Sequence, residues 1–128
     1  MDYREEVLKN VPNFKAYSTE KGLTLGGLGV AGEAGEVADL IKKELFHKQH
    51  DDPTRFDINF KNKLYKEMGD VYWYLEFLCA IAGVTRDDVM EMNVSKLRAR
   101  HPDGWTPESQ RAKADEKVIS SKNPYMLE

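Results

Sequence analysis

Residues 59–82, NFKNKLYKEMGDVYWYLEFLCAIA, predict one long amphipathic helix. At about 100° of rotation per residue, the apolar side chains share one broad face of this helix. Asn62, Lys66 and Glu76 fall on the opposite, polar side. Gly83 follows directly, and glycine is a common residue at the end of a helix.

Two acidic residues, Glu67 and Asp70, lie within the apolar arc of this helix, three positions apart. The pattern therefore predicts that both carboxyl groups are buried. An ionised carboxylate in such a place costs several kcal/mol, of order 3–5, unless a charge or a hydrogen bond compensates it. The pair therefore needs something nearby that compensates its charge.

Further helices are predicted on both sides of this segment, and no stretch has the pattern of a strand. They run over about residues 3–10, 25–48 and 85–100. The last opens at Thr85, with Asp88 completing a variant of the capping box. The polar residues 49–57 form a loop. The predicted fold class is all-α, a four-helix bundle.

Length and composition bound the possible functions. The 128 residues predict a single domain, with a core at about 25–105 and a C-terminal extension at 106–128. The extension starts with a helix signal, Thr106-Pro107-Glu108, but is too polar for a core helix, and residues 120–128 look like a tail. With 32% charged and 41% apolar residues, the core must be thin or shared between subunits.

Charge and targeting features favour a cytoplasmic protein without a nucleic-acid or membrane partner. The formal net charge is −3, which argues against binding dominated by phosphate backbones. No apolar run approaches the roughly 18 residues of a membrane span, and no signal peptide is recognisable at the start. The single cysteine, Cys79, excludes an intrachain disulfide and suits a reducing compartment.

The predicted second helix carries a matching pair of acids. Glu33 lies at the edge of an apolar arc, and Glu36 lies about 60° further round. The arc is formed by Val30, Ala34, Val37, Ala38, Ile41 and Leu45. Each acid pair has the form E-x-x-[ED] with a glycine before its second acid. A hairpin between the two long helices would bring the pairs level.

Four carboxylates in one pocket must either stay protonated in part or be neutralised by cations, since two like charges 5 Å apart repel by about 3 kcal/mol at an effective dielectric of about 20. Oxygen ligands without His or Cys favour Mg²⁺, with Mn²⁺ as a substitute. Two alternatives remain at this stage. In the first, Glu33 and Glu36 are solvated and pair with Lys42 or Lys43. A di-iron site is the weaker alternative, because neither pair has the usual Glu-x-x-His form.

A longer pattern joins these motifs. The segments GVAGEAGEVADLIKK at 29–43, EMGDVYWY at 67–74 and KLRARHPDGW at 96–105 resemble the MazG-like nucleotide pyrophosphohydrolases, an all-α group. The likeness covers about residues 25–105. Two departures are a longer loop between the acid pairs and His101 in place of the usual aromatic residue.

The resemblance implies an enzyme that cleaves a nucleoside triphosphate between its α and β phosphates with Mg²⁺, releasing a monophosphate and pyrophosphate. Glu33, Glu36, Glu67 and Asp70 match the family's metal-binding acids. Water would be the nucleophile, with a glutamate as its base. Such proteins commonly form homodimers or homotetramers.

Candidate substrate-binding residues lie mainly on the predicted fourth helix. Asn93, Lys96 and Arg100 are spaced three and four apart, on one line along the helix. The two cations are expected to bind the β and γ phosphates, and Tyr74 is expected to stack on the base. A solvated basic helix end is the alternative for the cations. The competing function is a helical oligomerisation module that binds a nucleotide or metal without catalysis.

Overall fold

The computed structural model describes residues 1–112, and every regular element there is helical. The helices are α1 Tyr3–Lys9, α2 Thr19–His47, α3 Ile58–Ala82, α4 Arg86–Arg100 and α5 Pro107–Ala112, with a 3₁₀ turn at Phe14–Ala16. The all-α prediction is confirmed, and α5 begins at the predicted signal. The predicted tail at 120–128 lies outside the described residues.

The chain divides into two compact units, the first comprising Met1–Gly83 and the second beginning at Val84. The first unit contains α1, α2 and α3, and its main contact is between α2 and α3. In the second unit α4 contacts α5. Along residues 1–112, no helix combines the length and the apolar character needed to cross a bilayer.

The α2–α3 hairpin is antiparallel and packs through glycines. A Cβ atom at Gly22 would collide with Ile81, and one at Gly29 would collide with Tyr74. The two helix backbones can approach this closely only because glycine has no side chain.

The start of α2 was predicted wrongly, at Leu25 after a glycine-rich entry. The helix begins six residues earlier, at Thr19, where the Ser18 side chain accepts a hydrogen bond from Lys21 N at 3.1 Å. Glycine is unfavourable in a helix by about 1 kcal/mol relative to alanine. Packing against α3 offsets this, so the glycines lie inside the helix.

The core of the first unit is small, as expected. Its buried apolar side chains are Val7, Val11, Phe60 and Phe77. Many large apolar side chains on the same helices remain exposed, among them Leu28, Phe46, Tyr65 and Tyr72. Much of the apolar surface of these helices is therefore left exposed within residues 1–112.

The prediction that Glu76 lies on a polar face of α3 is wrong. Glu76 is only 6% exposed, and its Oε1 accepts a hydrogen bond from Arg4 Nε at 2.6 Å. The helical pattern suggested one buried face on α3, but α1 covers a second face. The contact joins residues 72 positions apart, which no local pattern reveals.

The capping box predicted at the start of α4 is confirmed. Asp88 N donates to Thr85 Oγ1 at 3.1 Å, and Thr85 N donates to Asp88 Oδ2 at 2.7 Å. At the other end of α4, the C-cap residue His101 is half-buried, with its Nδ1 2.6 Å from Ser109 Oγ. This contact links the end of α4 to α5.

Candidate metal centre

Three of the four predicted acids converge on the α2–α3 hairpin. Glu33, Glu67 and Asp70 each offer a carboxylate oxygen, and these oxygens all lie within 4.8 Å of one another. Glu33 and Glu67 are half-buried, whereas Asp70 is exposed. The expectation that Asp70 is buried is therefore wrong, and the cluster opens to solvent at that side.

The register of the hairpin explains why these acids meet. Gly26 packs on Leu78 and Gly29 packs on Tyr74, so the contacts advance along α2 as they retreat along α3. The next step of this pattern, one helical turn on, pairs Glu33 with Asp70. Glu67 precedes Asp70 by one turn and points to the same side.

Glu33 lies in the middle of the contact between α2 and α3, and not at the edge of a buried apolar arc as predicted. Gly22, Gly26 and Gly29 face α3, on the side of α2 that carries Glu33. Ile41 and Leu45 of the predicted arc are instead 37% and 39% exposed. Glycine carries no hydrophobic signal, so the periodicity of apolar residues indicated the wrong face.

Glu36 is exposed and lies outside the cluster of three. It follows Glu33 by one turn of α2, so its role as a fourth ligand stays a prediction. Nearby, Lys42 and Lys43 form ion pairs with Asp39, at 3.1 and 2.5 Å. Hydrogen bonds from these two lysines lower the pKa of the Asp39 carboxyl group.

The structure does not show Glu33 or Glu36 in an ion pair with Lys42 or Lys43, since both lysines pair with Asp39. Glu36 is nevertheless exposed, as that alternative expects. Across residues 1–112, none of the ion pairs involves the three clustered acids. Three close carboxylates without a basic partner fit a divalent cation. Their donor atoms are all oxygens, which suits Mg²⁺ or Mn²⁺.

The predicted substrate residues have different surroundings. On α4, in the second unit, Lys96 and Arg100 are half-buried and Asn93 is exposed. Tyr74, on α3, is half-buried with its ring over Gly29 and edge-on to Trp73, 4.9 Å between ring centroids. The Tyr74 ring therefore packs within the hairpin, and its predicted stacking on a base remains untested.

Two features near the acids were missed by the sequence analysis. One is the Arg4–Glu76 ion pair. The other is Tyr3, whose pKa is raised by partial burial and then by the negative charges of Glu76 and Asp70. The first turn of α1 therefore lies within electrostatic range of the candidate site. A tyrosine in a short, polar N-terminal helix gives no signal of this.

A third missed feature is Glu44, which organises the loop between α2 and α3. It is 5% exposed, and its Oε1 accepts hydrogen bonds from Phe56 N at 2.6 Å and from Lys48 Nζ at 3.2 Å. Phe56 has a left-handed backbone, with φ of 58°. An open cavity of about 430 Å³ lies beside Glu44, with Leu40 and Lys63 among its walls.

Comparison with known proteins decides the family. Residues 24–105 match the MazG nucleotide pyrophosphohydrolase domain. The chain belongs to the MazG family. The match contains all four predicted acids, all of α3, and α2 from residue 24 onward, while α1 lies outside it. Membership of this family supports a hydrolase.

One relative of this MazG protein is the Gene 37 protein of Mycobacterium phage L5. The two are 36% identical over 84 residues, which cover 66% of this chain and 70% of the phage protein. No solved structure matches the chain.

Proposed function

We propose that this protein is a Mg²⁺-dependent nucleoside triphosphate pyrophosphohydrolase. It converts a nucleoside or deoxynucleoside triphosphate to the monophosphate and pyrophosphate, and so acts in control of the nucleotide pool. The observation that carries the proposal is the convergence of Glu33, Glu67 and Asp70 within the segment that matches the MazG domain.

The acids bind the metal in this proposal. Glu33, Glu67 and Asp70 hold Mg²⁺, for which Mn²⁺ can substitute, and Glu36 contributes a fourth carboxylate from the next turn of α2. When bound, the cation neutralises phosphate charge and polarises the phosphorus–oxygen bonds. A triphosphate carries about four negative charges, so without this neutralisation the acids would repel it.

Water is the proposed nucleophile. Its oxygen forms a bond to the α phosphorus while the bond from that phosphorus to the α–β bridging oxygen breaks. The departing group is pyrophosphate, and a glutamate carboxylate of the site accepts the proton of the water. Glu33 and Glu67 are the two glutamates of the cluster, and both are half-buried.

Lys96 and Arg100 are proposed to bind the β and γ phosphates, with Asn93 on the same line of α4. Cationic side chains form strong, charge-assisted hydrogen bonds to phosphate oxygens. Tyr74 is proposed to contact the base, because it lies one turn beyond Asp70 on α3. Loss of phosphate binding in Lys96→Met would raise KM more than it lowers kcat.

The decisive test is product analysis after incubation with each common dNTP and NTP, with and without Mg²⁺. We expect the monophosphate and intact pyrophosphate, and only when the metal is present. Diphosphate plus phosphate would contradict the cleavage site. Nucleotide-dependent stabilisation of the protein without any product would favour the non-catalytic binding module.

We also propose that the protein is a homodimer or homotetramer in the cytoplasm. The supporting observation is an exposed apolar stripe on α3, formed by Tyr65, Met68, Tyr72 and Leu75. Their spacing of three and four places them on one face of the helix, on the side away from α2. Large exposed apolar patches of this kind are typical of subunit interfaces.

The stripe predicts the effect of a charge placed within it. Tyr72→Glu is expected to shift the protein toward the monomer in sedimentation experiments, because a buried glutamate at an interface lacks a partner. Lys66→Glu, an exposed position outside the stripe on the same helix, is the matched control and should leave the assembly unchanged. A wild-type protein that sediments as a monomer would contradict the interface.

A further inference from the structure

Helix α1 lies outside the residues that match the MazG domain, yet it packs on the helix that carries Glu67 and Asp70. Val7 of α1 is 1% exposed, and Phe77 of α3 is 0% exposed. Together with Val11 they form one buried cluster, on which Tyr3 and Trp73 also pack. The core of the first unit is therefore built jointly by α1 and α3.

A part-buried ion pair joins α1 to α3. Arg4 Nε is 2.6 Å from Oε1 of Glu76, and the Glu76 side chain is 7% exposed. Because a charge-assisted hydrogen bond is short and directional, it restricts rotation of one helix against the other. Glu76 follows Asp70 by six residues, about 9 Å along the helix axis.

Asp70 lies at the boundary between the two covered faces of α3. Viewed down the helix, Phe77 and Trp73 lie about 20° and 60° to one side of Asp70, toward α1. Tyr74 and Leu78 lie about 40° and 80° to the other side, toward the glycines of α2. A rotation of α3 about its axis therefore moves the Asp70 carboxylate relative to Glu33.

The two faces are linked by stacked aromatic rings. Trp73 and Phe77 stack with 5.8 Å between ring centroids and 6° between ring planes. Trp73 also meets Tyr74 edge-on, and Tyr74 packs over Gly29 of α2. The side chains of α3 that pack on α1 and those that pack on α2 are thus in contact with one another, in the helical turns that follow Asp70.

We propose that Arg4 is a positioning residue of the metal centre. Its bond to Glu76 fixes the rotation of α3, and so holds the Asp70 carboxylate within ligand distance of Glu33 and Glu67. The inference rests on the proposed function for the existence of a metal centre. It adds that the N-terminal helix, outside the matched domain, is required for the geometry of that centre.

The test compares Arg4→Met with Lys48→Met. Each removes the basic partner of a nearly buried glutamate, Glu76 in one case and Glu44 in the other. The Lys48 pair lies at the loop end of the hairpin, so it controls for general destabilisation. The measurement is Mn²⁺ affinity by calorimetry without nucleotide, alongside the melting temperature of each variant.

Arg4→Met is expected to weaken Mn²⁺ binding by about 10-fold, as for loss of other groups that orient metal ligands. Lys48→Met should lower the melting temperature and leave Mn²⁺ affinity unchanged. Arg4→Lys keeps a charged donor and is expected to retain affinity within about threefold of wild type. The Mg²⁺ concentration for half-maximal pyrophosphate release should be highest in Arg4→Met and should stay close to the wild-type value in Arg4→Lys and Lys48→Met.

Unchanged Mn²⁺ affinity in a folded Arg4→Met, or an equal loss in Lys48→Met, would overturn the inference. Should Arg4→Met fail to fold, Glu76→Asp applies the same test, because it keeps the charge but withdraws the carboxylate by one methylene. Its unchanged affinity would count equally against the inference. A wild-type protein that binds no Mn²⁺ would instead refute the metal centre itself.

Discussion

Glu67→Gln is expected to abolish pyrophosphate release without lowering the melting temperature of the metal-free protein. Glu67 is one of three carboxylates within 4.8 Å, with no basic partner among the described residues. Two like charges 5 Å apart repel by about 3 kcal/mol at an effective dielectric of 20, and solvent reduces this at a half-buried site. The amide removes that repulsion and also removes a ligand.

The measurements are thermal melting in excess chelator and pyrophosphate release at saturating Mg²⁺. In chelator the variant should melt at or above the wild-type temperature. Addition of Mg²⁺ should raise the wild-type melting temperature more than that of the variant, because binding to the folded state stabilises it.

Glu20→Gln is the matched control, because Glu20 is an exposed glutamate in the first turn of α2. It lies 13 residues before Glu33, about 20 Å along the helix. It should retain full activity and the full response to Mg²⁺. A metal-free Glu67→Gln that melts well below wild type would show that Glu67 is a structural residue whose charge is already compensated.

The acids on α3 could be recognised from the sequence because their signal is local. Glu67 and Asp70 interrupt an apolar pattern of regular period, and the i,i+3 spacing places them together on any helix. The C-terminal end of α3 and the N-terminal end of α4 could also be predicted from the sequence. Gly83 and the Thr85–Asp88 capping box each form hydrogen bonds within their own helical turn. Local spacing thus predicted that Glu67 and Asp70 lie together and that the capping box forms, although Asp70 is exposed and not buried as expected.

The residues that pack against each face of α2 and α3 could not be predicted from such local patterns. The contact face of α2 is marked by glycines, which add nothing to a hydrophobic pattern, so Glu33 was placed at an edge when it lies at the centre. Glu76 was placed on a polar face and Glu44 was not singled out, but each is buried against a basic partner. The Glu76 partner is on a distant element that the local pattern of α3 does not include.

The glycine contact predicts opposite effects for two neighbouring substitutions. In Gly26→Ala the new methyl group would lie 3.3 Å from the Phe77 ring and collide with the Leu78 side chain. Overpacking of this kind destabilises by about 1–3 kcal/mol. In Gly27→Ala nothing lies within 4 Å of the new atom, so the change should stabilise α2 by up to about 1 kcal/mol.

Chemical denaturation of the two variants measures the difference directly, and metal affinity measures its consequence for the site. Both variants replace glycine with alanine, and they differ only in the atoms that the new methyl group contacts. Gly26→Ala should also weaken Mn²⁺ binding, because separation of the helices at Gly26 moves Glu33, two turns on, away from α3. Equal stabilisation by both alanines would mean that the helices do not pack through these glycines, and the convergence of Glu33 with Asp70 would lose its structural cause.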